Sequence, residues 1–139
     1  ALPPGTRVRL SLLLFPPRRG QIIVLDAPDS PGRWDIKRLI GLPGELVEWR
    51  QGQFWINGAA LHEPYAPAPS DGDTGMTRLG PREYFVAGDN RPRSRDSRHY
   101  GPVARARIFA LLRAARFEAA AAKLTERSRA QVKKDPSEG

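Results

Sequence analysis

The apolar residues of this chain come in short runs, each closed within a few positions by Gly, Pro, Asn or Asp, and that punctuation dictates the fold. Thr6 to Leu10 alternates Thr, Val and Leu with Arg and reads as a half-buried strand. Gln21 to Leu25, unbroken in apolar residues after its first position, reads as a buried strand. Trp34 to Ile40 is the next, closed by Gly41-Leu42-Pro43-Gly44, and Leu46 to Trp49 follows before Arg50-Gln51-Gly52. Gln53 to Ile56 and Ala59 to Leu61 flank Asn57-Gly58, a dipeptide that favours a two-residue hairpin turn. Pro64 to Gly80, rich in Pro, Ser, Asp and Gly, reads as an exposed, mobile loop. Glu83 to Ala87 is again a strand, and Ala106 to Leu112 is either a last strand or the start of a helix. The sum is an all-β fold: a compact barrel or sandwich of short, mostly antiparallel strands with a hairpin insertion. Residues 1–113 form this domain, and 114–139 form an alanine-rich basic tail, helical or disordered.

At 139 residues there is room for one domain with a real core. The longest apolar run, Leu12 to Phe15, is far below the ~18 residues of a membrane span. There is no cysteine, and the spacing of His62 and His99 matches no metal motif, so neither a metal nor another cofactor is expected. The formal charge of +8 suits an anionic membrane surface better than nucleic acid, because no aromatic residues interleave with the basic ones to stack bases. How the charge is built says more. From Ala1 to Ala122 the only lysine is Lys37, every other cation being arginine. Arginine cannot be deprotonated in a protein, whereas a lysine can be made neutral by burial and then act as a base.

The most heavily charged stretch is Gly88 to Gly101, GDNRPRSRDSRHYG, a shaped loop held between two apolar runs. It is too charged for core and too rich in Gly, Asp, Asn and Pro for a regular element. Its Asp89, Asp96, Arg91, Arg93, Arg95 and Arg98 can largely neutralise one another, and an Arg two residues from an Asp can clip a turn bidentately. On composition alone this is a solvated turn.

The wording of the loop, GDNR-x-x-S-x-DSR-x-x-G, resembles the last conserved box of the type I signal peptidases, membrane-bound serine endopeptidases with a Ser/Lys dyad. Asp35 to Glu45, D-I-K-R-L-I-G-L-P-G-E, resembles that family's lysine box, with Glu45 where Asp is usual. Arg19 to Leu25 resembles the core-strand box R-G-D-I-V-V-F, with Gln21 for Asp and Leu25 for Phe. Leu2 to Val8 resembles the run that follows the nucleophile box S-M-x-P-T, which puts the nucleophilic serine upstream of Ala1 and absent from this chain.

The resemblance implies a role for each matched residue. Lys37 is the general base and Ser94 orients its amine. Asp89, Asn90, Arg91, Asp96, Ser97 and Arg98 brace the loop. Asp35 and Ile36 line the substrate strand, where an extended signal peptide pairs with the backbone and small apolar pockets select its side chains. A lysine with an ordinary pKa of ~10.4 is protonated at neutral pH, so the base must lie in apolar surroundings with no carboxylate paired to it. Strand alternation puts Asp35, Lys37 and Leu39 on one face and Ile36, Arg38 and Ile40 on the other.

The family implies signal-peptide removal from secreted preproteins on the extracytoplasmic side of a bacterial cell membrane, by a domain anchored through an upstream transmembrane helix. The rival readings are a catalytically dead binding protein of the same fold, a self-cleaving repressor-like Ser/Lys protein, and a basic nucleic-acid module. The GDNR box argues against the repressor, and a nucleic-acid module would need a salt-dependent affinity that is not expected here. The tail holds few large apolar residues, so it has little to bury. Deleting Glu118 to Gly139 is expected to leave the melting temperature within a few degrees, as read by thermal denaturation, because ~1 kcal/mol at the surface shifts it by only that much.

Overall fold

A computed structural model describes residues 10–65 and 72–112, and the fold is all-β as expected. The strands are β1 (Leu10–Leu12), β2 (Ile22–Asp26), β3 (Trp34–Gly41), β4 (Leu46–Arg50), β5 (Gln53–Ile56), β6 (Ala59–Ala60), β7 (Gly75–Arg78), β8 (Glu83–Ala87), β9 (Val103–Ala104) and β10 (Ile108–Leu112). A one-turn helix, α1 (Ser97–Tyr100), interrupts them. Six strands form one sheet in the order β1-β10-β2-β3-β8-β9, and four form another in the order β6-β5-β4-β7. Every pairing is antiparallel.

The unbroken run Ile22-Ile23-Val24-Leu25 is apolar because both faces of β2 are covered. Ile23 and Leu25 enter a cluster with Leu39, Tyr84, Val86, Val103 and Ile108, while Ile22 and Val24 pack with Ala110 and Leu112. The C-terminal run is therefore a strand, fixed by pairing with β2 at Ala110 opposite Val24 and Leu112 opposite Ile22. The Asn57-Gly58 hairpin forms, with φ of 50° and 85° at the two turn residues, the left-handed pair that a type I′ turn requires.

A third cluster joins the two sheets. Ile40, Phe85 and Ala87 of the first meet Val47, Trp49, Phe54 and Ile56 of the second, with Leu79 between them. Gly41 is the pivot, at a register shift between β3 and β8. A Cβ there would lie 2.5 Å from Val47 Cγ2 and 2.9 Å from Leu79 Cδ1. Just beyond it the turn to β4 is closed by Glu45, whose carboxylate accepts from the Leu42 amide at 2.6 Å and from both terminal nitrogens of Arg19. Glu45 thus fastens the turn to the start of β2.

Two expectations are corrected. The stretch read as one long loop from Pro64 to Gly80 contains β7, which pairs with β4 at Leu46 opposite Arg78 and Trp49 opposite Gly75. Its alternation was hidden because Met76 is 65% exposed, so it has no apolar face to advertise. The Gly88–Gly101 loop does contain a regular element, α1, and part of it is core: Asp96 and Ser97 are buried, as is Arg91. The strand expected at Thr6 to Leu10 falls mostly outside the described residues, as does the tail from Ala114. Among the described residues no helix is long and apolar enough to cross a membrane.

Because the three neighbours of a Gly41 Cβ are core side chains, Gly41→Ala should overpack the joint and cost about 1–3 kcal/mol. The expected reading is a melting temperature lower by several degrees, with the far-ultraviolet spectrum of the folded state retained.

Candidate active site

The site is built where β3 meets the loop that follows β8. Strand pairing sets Lys37 opposite Ile23 and Arg38 opposite Ala87, and alternation sends the two side chains to opposite faces of β3. Each then meets a different part of the 88–101 loop. On one face the Lys37 amine donates to Ser94 Oγ at 3.0 Å, and the same oxygen accepts from the Gly88 amide at 3.1 Å. On the other the Arg38 guanidinium grips Asp89 through two bonds of 3.0 and 2.7 Å and donates to Gly20 O at 2.9 Å. The Tyr65 ring lies 3.7 Å from the Arg38 guanidinium carbon.

Asp96 holds the loop closed. Fully buried, its carboxylate accepts from the Gly88 amide, the Arg98 amide and the Arg98 side chain, at 2.8 to 3.1 Å. Burial works against the charged carboxylate, yet the Arg98 hydrogen bonds and charge outweigh it and hold the group below its ordinary value. Asp96 also caps α1, whose Ser97 hydroxyl accepts from the Val86 amide at 2.9 Å inside the core. Asn90 O accepts from the Arg93 and Ser94 amides and so shapes the turn by its backbone.

The charges of this loop were expected to neutralise one another. Only Asp96 and Arg98 do so. Asp89 is taken by Arg38, and Arg91 makes a bidentate pair with Glu63 at 2.8 and 2.6 Å. Arg95 reaches Asp29 at 2.8 Å. Arg91 and Arg98 also lie over the Phe54 and Trp49 rings, at 4.8 and 4.6 Å, so the loop rests on the second sheet as well. Their partners wait outside the loop, on β3, on the segment after β6 and on the 27–33 loop. Glu63, Tyr65, Arg38 and Asp29 were missed by sequence reasoning. Alternation had placed Arg38 on the face opposite Lys37, but nothing in the pattern said that it would hold Asp89 there.

Lys37 is partly buried, its side chain 10% exposed, and the expectation that no carboxylate pairs with it is overturned. Asp35 Oδ2 stands 3.5 Å from Nζ. Two residues apart on one strand, the two side chains share a face, which the alternation argument already contained. Asp35 and Ile36 line a groove of about 550 Å³, together with Leu10, Val24, Asp29 and Leu112 among others. Of the serines described, Ser94 is the one that meets Lys37. Ser97 is turned into the core, and no described hydroxyl besides Ser94 contacts the amine.

The site thus brings a partly buried amine onto a hydroxyl, in an all-β domain of two sheets. The chain belongs to the family described as signal peptidase, peptidase S26, whose model matches residues 2–116. It is 37% identical over 106 residues to a probable signal peptidase I-2 of a Synechocystis species, covering 73% of this chain and 49% of that protein. It is 35% identical over 108 residues to signal peptidase I V of Bacillus subtilis, covering 68% of this chain and 63% of the other. The crystal structure of a signal peptidase I from Enterococcus faecalis matches with a TM-score of 0.62 and 35% identity, over 71% of this chain and 98% of that one. The chain spans about half the length of relatives such as the Synechocystis protein and signal peptidase I of Leptolyngbya laminosa.

Asp96→Asn leaves Arg98 buried without its countercharge, which should cost about 3–5 kcal/mol in urea denaturation at pH 7. The sign of the pH dependence follows from the depressed acidity. Stabilisation by the charged form is complete above the ordinary value of 3.8 and is lost as pH falls through the lower folded-state value. The gap between wild type and Asp96→Asn should therefore be widest at neutral pH and shrink below about pH 4.

Proposed function

We propose that this domain belongs to a serine endopeptidase that removes signal peptides from secreted preproteins, with Lys37 as general base. The observation that carries the reading is the bond from Lys37 to Ser94 in a domain of this family. The nucleophile is a serine upstream of Ala1, in chain that also carries a transmembrane anchor. The domain works on the extracytoplasmic side of a bacterial membrane, and its positive charge favours an anionic lipid surface.

The chemistry follows from the residues. The Lys37 amine takes the proton of the serine hydroxyl as that oxygen attacks the scissile carbonyl, and returns it to the leaving amine as the peptide bond breaks. The amine then takes a proton from the water that attacks the resulting ester and returns it to the serine oxygen as the ester bond breaks, which releases the acid and restores the hydroxyl. Ser94 aims the amine and adds no charge of its own. Asp89, Asn90, Arg91, Asp96, Ser97 and Arg98 keep Ser94 in place. The substrate strand lies along Trp34 to Ile36. On the edge facing away from β2 this part of β3 is unpaired among the described residues, since β8 joins only from Arg38. Ile36, Val24 and Leu112 give that groove an apolar wall suited to small side chains.

The ion pair from Asp35 to Lys37 is the observation that favours the second reading, a binding protein of this fold with no chemistry. One experiment separates the two. The protein extended upstream through its native anchor is incubated with a signal-peptide substrate beside the 139-residue chain. The extended protein should cleave and the chain alone should not. In the extended protein Lys37→Arg should lose activity as fully as Lys37→Ala, by at least ~100-fold, because arginine cannot act as a base. Activity retained by Lys37→Arg would remove lysine from the mechanism, and an inactive extended protein with no upstream serine would establish the binding role.

A further inference from the structure

We propose that Asp35 is a positioning residue that controls the base: it holds the Lys37 side chain as an ammonium, and the lysine becomes a base only when that ion pair is released and the ammonium gives its proton to solvent. The inference rests on the reading of Lys37 as general base and adds what governs it. Asp35 Oδ2 stands 3.5 Å from the Lys37 amine, which also bonds Ser94 at 3.0 Å. The other carboxylate oxygen of Asp35 accepts from the Ile36 amide at 2.9 Å, which fixes the group over the lysine. The Lys37 side chain is 10% exposed and that of Asp35 is 40% exposed. Asp35 lines the groove and Lys37 does not. Solvent and substrate therefore meet the carboxylate, while the amine behind it depends on Asp35 for its countercharge.

The other polar groups around the Asp35–Lys37 pair do not offer the same hold. Asp29, from the 27–33 loop, responds electrostatically to Lys37, but its carboxylate is committed to Arg95 at 2.8 Å. Ser94, from the 88–101 loop, is neutral. The Tyr100 hydroxyl of α1 is buried with no hydrogen-bond partner among the described residues, and burial, Asp96, Asp35 and Asp29 all push it above its ordinary value, so it stays neutral. Among the described residues Asp35 is the carboxylate within ion-pair distance of Lys37. The pair exists only while the amine is protonated. A peptide strand laid along Trp34 to Ile36 covers Asp35, which places the control where substrate arrives.

The test needs no peptidase activity, because the chain has four lysines: Lys37, Lys123, Lys133 and Lys134. In the ¹⁵N-lysine-labelled chain the Lys37 side-chain nitrogen is assigned by its loss in Lys37→Arg and titrated with pH. Asp35→Asn keeps the acceptor for the Ile36 amide and removes the charge. It should move the Lys37 midpoint to lower pH, with the three tail lysines unmoved. Asp29→Asn should move it less. An unmoved midpoint in Asp35→Asn, or a larger movement in Asp29→Asn, overturns the proposal. In the anchored protein the acid limb of the cleavage profile should move the same way in Asp35→Asn, and a limb that stays put would also overturn it. A midpoint that moves in the chain, beside an anchored wild type that cleaves at no pH, supports the hold of Asp35 on Lys37 while removing the peptidase reading.

Discussion

The site depends on the buried carboxylate of Asp96. Its bonds to the Gly88 and Arg98 amides and to the Arg98 side chain draw the two ends of the 88–101 loop together. Ser94 then has one place to go, over the Lys37 amine. A charge this deep would be costly alone, and the arrangement stands because its acceptor sites are met and its countercharge is two residues away.

Its outer contacts give it a fixed seat. Arg38 fastens Asp89 from β3, Glu63 fastens Arg91 from the segment after β6, and Asp29 fastens Arg95 across the groove. These ties differ in weight. Arg91 and Glu63 are almost wholly buried and bidentate, so removing either strands a charge, whereas Arg95 is 68% exposed and its pair sits where surface ion pairs contribute little. The second sheet takes part through aromatic faces, with Trp49 beneath Arg98 and Phe54 beneath Arg91. A hairpin sheet far from the chemistry in sequence is thus part of what keeps Ser94 still.

Much of this was legible in the sequence. The strands were marked by their turn residues, and β2 by an apolar run that only a doubly covered strand needs. Lys37 was marked by a composition that uses arginine everywhere else in the first 122 positions. What was not legible concerned partners at long range. Nothing local says that Asp89 will meet Arg38, 51 positions away, or that Arg91 will meet Glu63, 28 away, because ion pairs leave no period behind them. β7 was missed because a strand with little to bury has no apolar alternation. The contact of Asp35 with Lys37 was legible in principle. Strand alternation had put the two on one face, and the demand for a carboxylate-free amine was allowed to override it.

The glycines of the two matching boxes illustrate how a requirement can be steric without being conformational. Gly44, in the turn after β3, has φ of +83° and open space around its missing Cβ, so glycine is there for its backbone. Gly88 is the reverse. Its φ is not in the left-handed region, but a Cβ would fall on Ser94 Oγ and its carbon, with Lys37 Nζ 3.5 Å away. Any side chain at 88 has to expel the hydroxyl that the lysine bonds. The first letter of GDNR is thus tied to the lysine box 51 positions earlier through shared space, since both Gly88 and Lys37 need the same oxygen in the same place. Two boxes that look independent along the chain specify one contact.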